Sequence, residues 1–162
     1  MSIFSGIENV KPREANRELA PFFTAPGRVV ATITAAKMGK STNPRRTGQP
    51  FILVTFKVES VRDGDYQVGD MRTVWRPVVG EYNLRDIQGL VAAALGVPAG
   101  QVTAAICDEA FTPRGDESAP QVGCQVAVAI AANPSGATDA DGNLYVNTYF
   151  APAPTGDVQA GF

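Results

Sequence analysis

Residues 51–61 read FILVTFKVESV, and the alternation of their side chains decides the class of fold. One row is continuously apolar: Ile52, Val54, Phe56 and Val58. The other row mixes apolar and polar side chains: Phe51, Leu53, Thr55 and Lys57. A repeat of two residues is typical of a β-strand with one face on a core. The segment therefore predicts a strand that is half buried.

Two further strands are expected on either side of this segment. Residues 28–37 (RVVATITAAK) alternate in the same way, with Val29, Ala31, Ile33 and Ala35 on one face. Residues 38–50 (MGKSTNPRRTGQP) are rich in Gly, Pro, Ser and Asn, which predicts a loop. After a turn at residues 63–65, residues 70–79 predict a third strand.

Residues 83–95 predict the main helix. Asn83 is a suitable N-cap. Apolar side chains recur at helical spacing, which predicts one buried face: Leu84, Ile87, Leu90, Val91, Ala94 and Leu95. Gly96 is suited to a left-handed C-terminal cap. Thr103 is a candidate cap for a short second helix, and strands at 124–132 and 144–150 follow, joined by a hairpin turn at 139–143.

The predicted order is β-β-β-α-β-β. It favours an all-β domain with one main helix, an OB-fold-like five-stranded barrel with the helix between strands 3 and 4. A β-sandwich with an inserted helix fits the same order. We expect residues 1–27 to form an N-terminal arm, residues 28–150 the domain, and residues 151–162 a flexible tail rich in Pro and Gly.

Composition excludes several classes of function. The chain has 162 residues, a net charge of −2 and no histidine, which excludes His-dependent catalysis and His-ligated metals. Cys107 and Cys124 form no metal-binding motif, and no phosphate-binding or nucleophile motif occurs. We expect no enzymatic activity, no cofactor and no metal. No signal sequence or membrane-length apolar run is present, so we expect a cytoplasmic protein.

Positive charge is concentrated in one stretch of the chain. No acidic residue lies between Arg28 and Glu59, and this stretch contains six of the fourteen cations. The candidate phosphate-binding side chains within it are Lys37, Lys40, Arg45, Arg46 and Lys57. A cationic loop beside a groove is suited to neutralising a nucleic-acid backbone, so we expect residues 37–46 to contact phosphates.

The third strand and the last strand supply candidate base-stacking rings. Arg72 and Arg76 share one strand face, and Trp75 takes the other. Two arrangements remain open: the Trp is in the core with the arginines towards a ligand, or the reverse. Tyr145 and Tyr149, on the polar face of the last strand, and Phe51 are the other candidate stacking platforms.

Several short strings resemble a known family when taken in order. They are FSGIEN at 4–9, APG at 25–27, GQPFILV at 48–54, VGD at 68–70 and DIQGLVAAALG at 86–96. Together they resemble bacteriophage single-stranded DNA-binding proteins of the OB-fold type. The resemblance implies a non-sequence-specific protein of phage DNA replication or recombination in the host cell cytoplasm. It implies that regions 37–46 and 72–76 contact DNA, and that partners include phage or host replication proteins.

An alternative is a phage virion structural or decoration protein with a β-sandwich fold. Its support is the long irregular N-terminus and the Pro-rich tail, both suited to embracing neighbouring subunits. The sequence leaves a homo-oligomer open under either hypothesis.

Overall fold

Five antiparallel strands form a single sheet in the computed structural model, which describes residues 21–138, 142 and 145–154. The strands are β1 (Gly27–Lys40), β2 (Pro50–Asp63), β3 (Met71–Pro77), β4 (Gln125–Ala132) and β5 (Val146–Pro152). Between β3 and β4 lie helices α1 (Glu81–Leu95) and α2 (Ala104–Phe111), separated by a short 3₁₀ turn. The prediction of a mostly β chain with five strands and a helix after the third is therefore confirmed.

The sheet order is β3-β2-β1-β4-β5, and no backbone ladder joins β3 to β5 within the described part of the chain. Closure into a barrel is therefore not observed. Strand β1 pairs with both β2 and β4 over its first half, whereas residues 35–40 pair only with β2. The loop end of the β1–β2 hairpin thus extends beyond β4, while β3 pairs with β2 along this end. The loop is shorter than predicted because strand pairing continues to Lys40 and Pro50.

The core is built on the apolar row that the sequence identified in β2. Val54, Phe56 and Val58 are completely buried, and they pack in one cluster with Leu90 of α1 and Val128 of β4. Burying an aliphatic or aromatic side chain of this size contributes about 1.5–3 kcal/mol. The inner face of β2 is therefore the main apolar surface on which the other elements pack.

A register shift in β1 makes one predicted core position wrong. The pairing with β2 is irregular between Ile33 and Ala35, and the buried residue after Ile33 is Ala36 instead of Ala35. An extra residue at a bulge reverses the faces of everything that follows it. This shift turns Lys37 towards the same face as Leu53, with which it pairs.

Helix α1 starts earlier than predicted. Gly80 is its N-cap, and Asn83, expected to be the cap, lies inside the first turn with its side-chain amide donating to the Val79 carbonyl at 2.9 Å. A helix can begin at Gly80 because its positive φ of 84° is easily adopted by glycine. The other caps are confirmed: Gly96 is left-handed, and the Thr103 hydroxyl accepts from Ile106 N–H at 3.2 Å.

The end of the N-terminal arm belongs to the folded domain. Residues 21–27 were assigned to the arm, but Thr73 N–H donates to the Pro21 carbonyl at 2.9 Å, and Phe22 forms a parallel bridge with Thr73. Phe23 is buried, 5.9 Å from the Phe56 ring. At the other end, β5 includes Ala151 and Pro152, which were assigned to the tail. Four predictions fall partly or wholly outside the described residues. They concern the arm before residue 21, the hairpin turn at 139–143, the start of the last strand at residue 144 and the tail from residue 155.

Helix α1 provides a direct test of the core. Leu90 is 1% exposed, so Leu90→Ala should lower the free energy of unfolding by about 2–5 kcal/mol through lost burial and a cavity. Leu84→Ala is the matched control on the same helix, because Leu84 is 49% exposed and should change stability by less than about 0.5 kcal/mol. Denaturant unfolding of both variants measures the difference, and equal losses would mean that the helix face is wrongly assigned.

Tyr66 fastens the arm to the turn after β2. Its hydroxyl donates to the Ala25 carbonyl, and burial raises the pKa of this hydroxyl above its usual value. A raised pKa in the folded state means that the stabilisation is complete below pH 10 and is lost as pH rises through the folded-state pKa. Tyr66→Phe should cost about 1 kcal/mol at pH 8 and flatten the loss of stability above pH 10. Thermal unfolding between pH 8 and pH 11 tests this, and an unaltered alkaline profile would contradict it.

Candidate nucleic-acid interface

The outer face of the β1–β2–β3 portion of the sheet carries rings and cations on adjacent strands. Leu53 pairs with Lys37 of β1 on one side and with Trp75 of β3 on the other, so these three side chains lie in one row across the face. Phe51 occupies the same face two residues earlier in β2. These outer residues of β2 alternate with the core-facing residues of the same strand, and from Phe51 to Thr55 they are half buried.

Phe51, Trp75 and Arg46 form a compact cluster at the loop end of this face. The two ring centroids are 6.1 Å apart, and the Arg46 guanidinium lies 5.9 Å from the centre of the Trp75 ring. Gly39 makes room for the first ring, since a Cβ at this position would lie 2.7 Å from Phe51 Cζ. The two ring planes are inclined by 34° and the guanidinium lies over the Trp75 ring, so the cluster combines aromatic surface with a positive charge.

The β1–β2 loop has internal hydrogen bonds that place its arginines. Asn43 accepts from Arg45 N–H through its side chain at 3.0 Å and from Arg46 N–H through its carbonyl at 2.8 Å. Ser41 N–H donates to the Gln49 carbonyl at 2.8 Å, which closes the loop. Both arginines are solvent-exposed, so their charges are free to meet a ligand.

The other cations predicted in this region are distributed over both faces. Lys37 is beside the cluster, and Lys57 lies further along β2 on the same outer face. Lys40 ends β1 on the opposite face from Lys37, so it is not brought to the row of rings. Of the five predicted cations, Arg45 and Arg46 belong to the β1–β2 loop, and Lys37 lies on the outer face beside the aromatic cluster.

The strand arginines have a different environment. Arg72 and Arg76 point to the face opposite Trp75, where both form ion pairs. Arg72 bonds Asp70 at 3.4 Å, and Arg76 bonds Asp86 of α1 at 3.0 Å and the Thr148 hydroxyl at 2.7 Å. Of the two arrangements left open by the sequence, the structure therefore has Trp75 on the outer face. Arg76, held by its ion pair, lines a depression that Trp75 also lines, whereas Arg72 does not.

A groove lies where β3 and β5 are not joined. This β3–β5 groove has a volume of about 270 Å³, and its rims include the rings of Phe22, Trp75 and Tyr145. Tyr145 is 53% exposed. The predicted stacking residues Trp75 and Tyr145, which are distant in the sequence, thus flank one depression.

Two further hollows adjoin this groove, since each shares lining residues with it. Trp75, Tyr145 and Tyr82 line the first, and Tyr82 and Tyr149 line the second. Rings are therefore neighbours in the order Phe51, Trp75, Tyr145, Tyr82 and Tyr149, which we call the aromatic track. Tyr82 donates to the Asn147 side chain at 2.7 Å, and burial together with Asp86 raises the pKa of its hydroxyl.

Tyr82 was not identified from the sequence. It lies in the first turn of α1 and is 57% exposed. The buried residues of the helix begin at Ile87, so the prediction of Leu84 on the buried face was wrong. A large ring placed outside the core stripe of a helix was the available signal. Its neighbourhood with Tyr145 arises from packing of α1 against β5, which the local sequence does not specify.

Little else on the surface has the character of a reactive site. A second groove between α1 and α2 contains Cys107, but burial and the neighbouring Asp108 raise the pKa of this thiol, which disfavours a reactive thiolate. The described residues include no group of three or more side chains able to hold a metal ion. Among them, no helix combines the length and apolarity that crossing a bilayer requires.

No protein-family model matches this sequence, and no curated protein matches it significantly.

The ion pair of Arg76 gives a testable expectation for the site. Arg76→Ala should lower stability by about 2 kcal/mol, because it leaves the Asp86 carboxylate, which is 14% exposed, without its partner. Arg85→Ala is the control, since the pair of Arg85 with Glu81 is exposed and should contribute less than about 0.5 kcal/mol. Urea unfolding measures the loss of stability in both variants. A small loss for Arg76→Ala would contradict the role of this side chain in joining β3 to α1.

Proposed function

We propose that this protein binds single-stranded DNA without sequence specificity, with bases on the aromatic track and phosphates near the β1–β2 loop. The observation that carries the proposal is the cluster of Phe51, Trp75 and Arg46. Two neighbouring rings, tilted by 34°, and a guanidinium 5.9 Å from one of them can bind the two groups that any single strand presents, a base face and a phosphate.

The fold supports the proposal at the level of architecture. An OB-fold is a five-stranded, partly open barrel that binds oligonucleotides on one face and between its loops. The order β3-β2-β1-β4-β5 has β3 and β5 at its two ends, and Arg76 of β3 reaches Thr148 of β5 across the gap. We therefore propose that the sheet is an OB-like barrel left open between β3 and β5.

Non-specific binding is favoured by the chemistry of the track. Each base has a flat face, so stacking on an exposed ring contributes about 1–3 kcal/mol per base whichever base is present. Trp75 and Tyr145 offer this surface on opposite sides of the β3–β5 groove. The polar partners on the rims are few, which limits discrimination between base edges.

The positive charge on the β1–β2 loop and its strands can attract phosphates although the whole chain has a net charge of −2. The cations that face the track or its loop are Lys37, Arg45, Arg46 and Lys57, and they belong to the stretch without acidic residues. A protein that neutralises about four phosphates on single strands should show a slope of log K against log salt near −3. Arg72 and Arg76 are left out of this sum because carboxylates already partner them.

The resemblance to phage single-stranded DNA-binding proteins supports a role in replication or recombination in the host cytoplasm. In that role the protein would cover single strands exposed transiently during DNA synthesis. Phage or host replication proteins are the partners we propose, and the described surface assigns no contact to them.

Fluorescence of Trp75, the single tryptophan, tests the proposal. Titration with oligo-dT at several salt concentrations should quench it and yield the slope. Arg45→Ala/Arg46→Ala should weaken binding to all sequences and flatten the slope by about one to one and a half units, because two phosphate contacts are lost.

The matched control is Arg114→Ala, which removes one exposed arginine from the loop after α2. This residue lines neither the grooves nor the track, so its slope should equal that of the unmodified protein. No binding at 50 mM salt, or a slope equally flattened by the control, would refute the proposed interface.

A further inference from the structure

One residue that lines the β3–β5 groove has a polar group left unpaired by the described part of the chain. Thr73 lines the groove and is 1% exposed, and its hydroxyl oxygen has no hydrogen-bond partner among the described residues. Buried hydroxyls are normally paired, because removing one from water without a replacement bond costs free energy. Thr73 thus holds an unpaired hydrogen-bonding group just beneath the surface of the groove that it lines.

The surroundings of this hydroxyl are those of a site for a flat ring. Trp75 and Tyr145 lie on the rims, and Val74 and Val146 contribute apolar lining. The volume of about 270 Å³ exceeds the ~150 Å³ in which a cavity in another protein holds one benzene ring. One heterocycle with part of an attached sugar therefore fits.

We infer that the β3–β5 groove is a pocket for a single nucleobase, inserted between Trp75 and Tyr145 and hydrogen-bonded by the Thr73 hydroxyl. The inference rests on the proposed single-stranded DNA binding and adds a specific subsite to it. One base of the bound DNA leaves the aromatic track and enters the gap between β3 and β5, the two end strands of the sheet.

The hydroxyl group of Thr73 is suited to a pocket that accepts different bases. A threonine hydroxyl rotates to donate to a carbonyl or to accept from an amino group, so it can pair with the edge of any base. Arg76, which also lines the groove, is committed to Asp86 and Thr148. The pocket therefore adds affinity through one hydrogen bond without selecting a sequence.

A double-mutant cycle between protein and DNA tests the pocket. The probes are oligo-dT and an oligonucleotide of the same length built from 2,4-difluorotoluene, which keeps the shape of thymine but pairs weakly. The unmodified protein should prefer oligo-dT, and Thr73→Val should reduce this preference about five-fold, the factor expected for loss of one hydrogen bond. Contacts of other residues cancel in the ratio, because both proteins make them.

Two further variants complete the test. Thr73→Ser keeps the hydroxyl and should restore the preference. Thr55→Val makes the same change on the paired residue of β2, which does not line the groove, and should leave the preference unchanged. Thermal unfolding should show Thr73→Val to be as stable as the unmodified protein, because the hydroxyl removed has no partner in the described fold.

The outcomes separate the two proposals. Equal preference in Thr73→Val and the unmodified protein, with tight binding in both, would overturn the pocket and leave single-strand binding intact. Failure of the unmodified protein to bind either oligonucleotide would overturn both.

Discussion

The guanidinium of Arg76 connects three elements that no backbone ladder joins. It belongs to β3, forms an ion pair with Asp86 of α1 and donates to Thr148 of β5. Because β3 and β5 are the two ends of the sheet, this side chain spans the gap between them. It lines the same groove as Trp75 and Tyr145, and its ion pair joins α1 to the β3 side of that groove.

Much of the fold follows from local sequence patterns. The alternating row from Ile52 to Val58 lies in the core as expected, and Gly96 and Thr103 end and begin the two helices. These features depend on residues close together in the chain, where period and capping chemistry are informative. The β1 bulge is different, because it arises from pairing with β2 and exchanges Ala35 for Ala36 in the core.

The candidate site also has some features that local sequence predicts and others that only tertiary packing decides. Arg46 and Phe51 come together through a hairpin whose loop composition is visible in the sequence. The pairing of Arg76 with Asp86 was not foreseeable, since it needs the angle at which α1 leaves β3. Tyr82 joins the aromatic track only when α1 packs on β5. Charge and ring content can be counted in a sequence, but tertiary packing decides which face each side chain occupies.

The unjoined ends of the sheet also bear on how the molecule behaves at high concentration. Free strand edges are templates on which another chain can add a strand and begin to aggregate. Here the two edges face each other across a gap that Arg76 spans, and residues 21–22 cover part of β3. Each edge is thus shielded by the other side of the same domain, so the protein can keep an open seam and still resist intermolecular strand pairing.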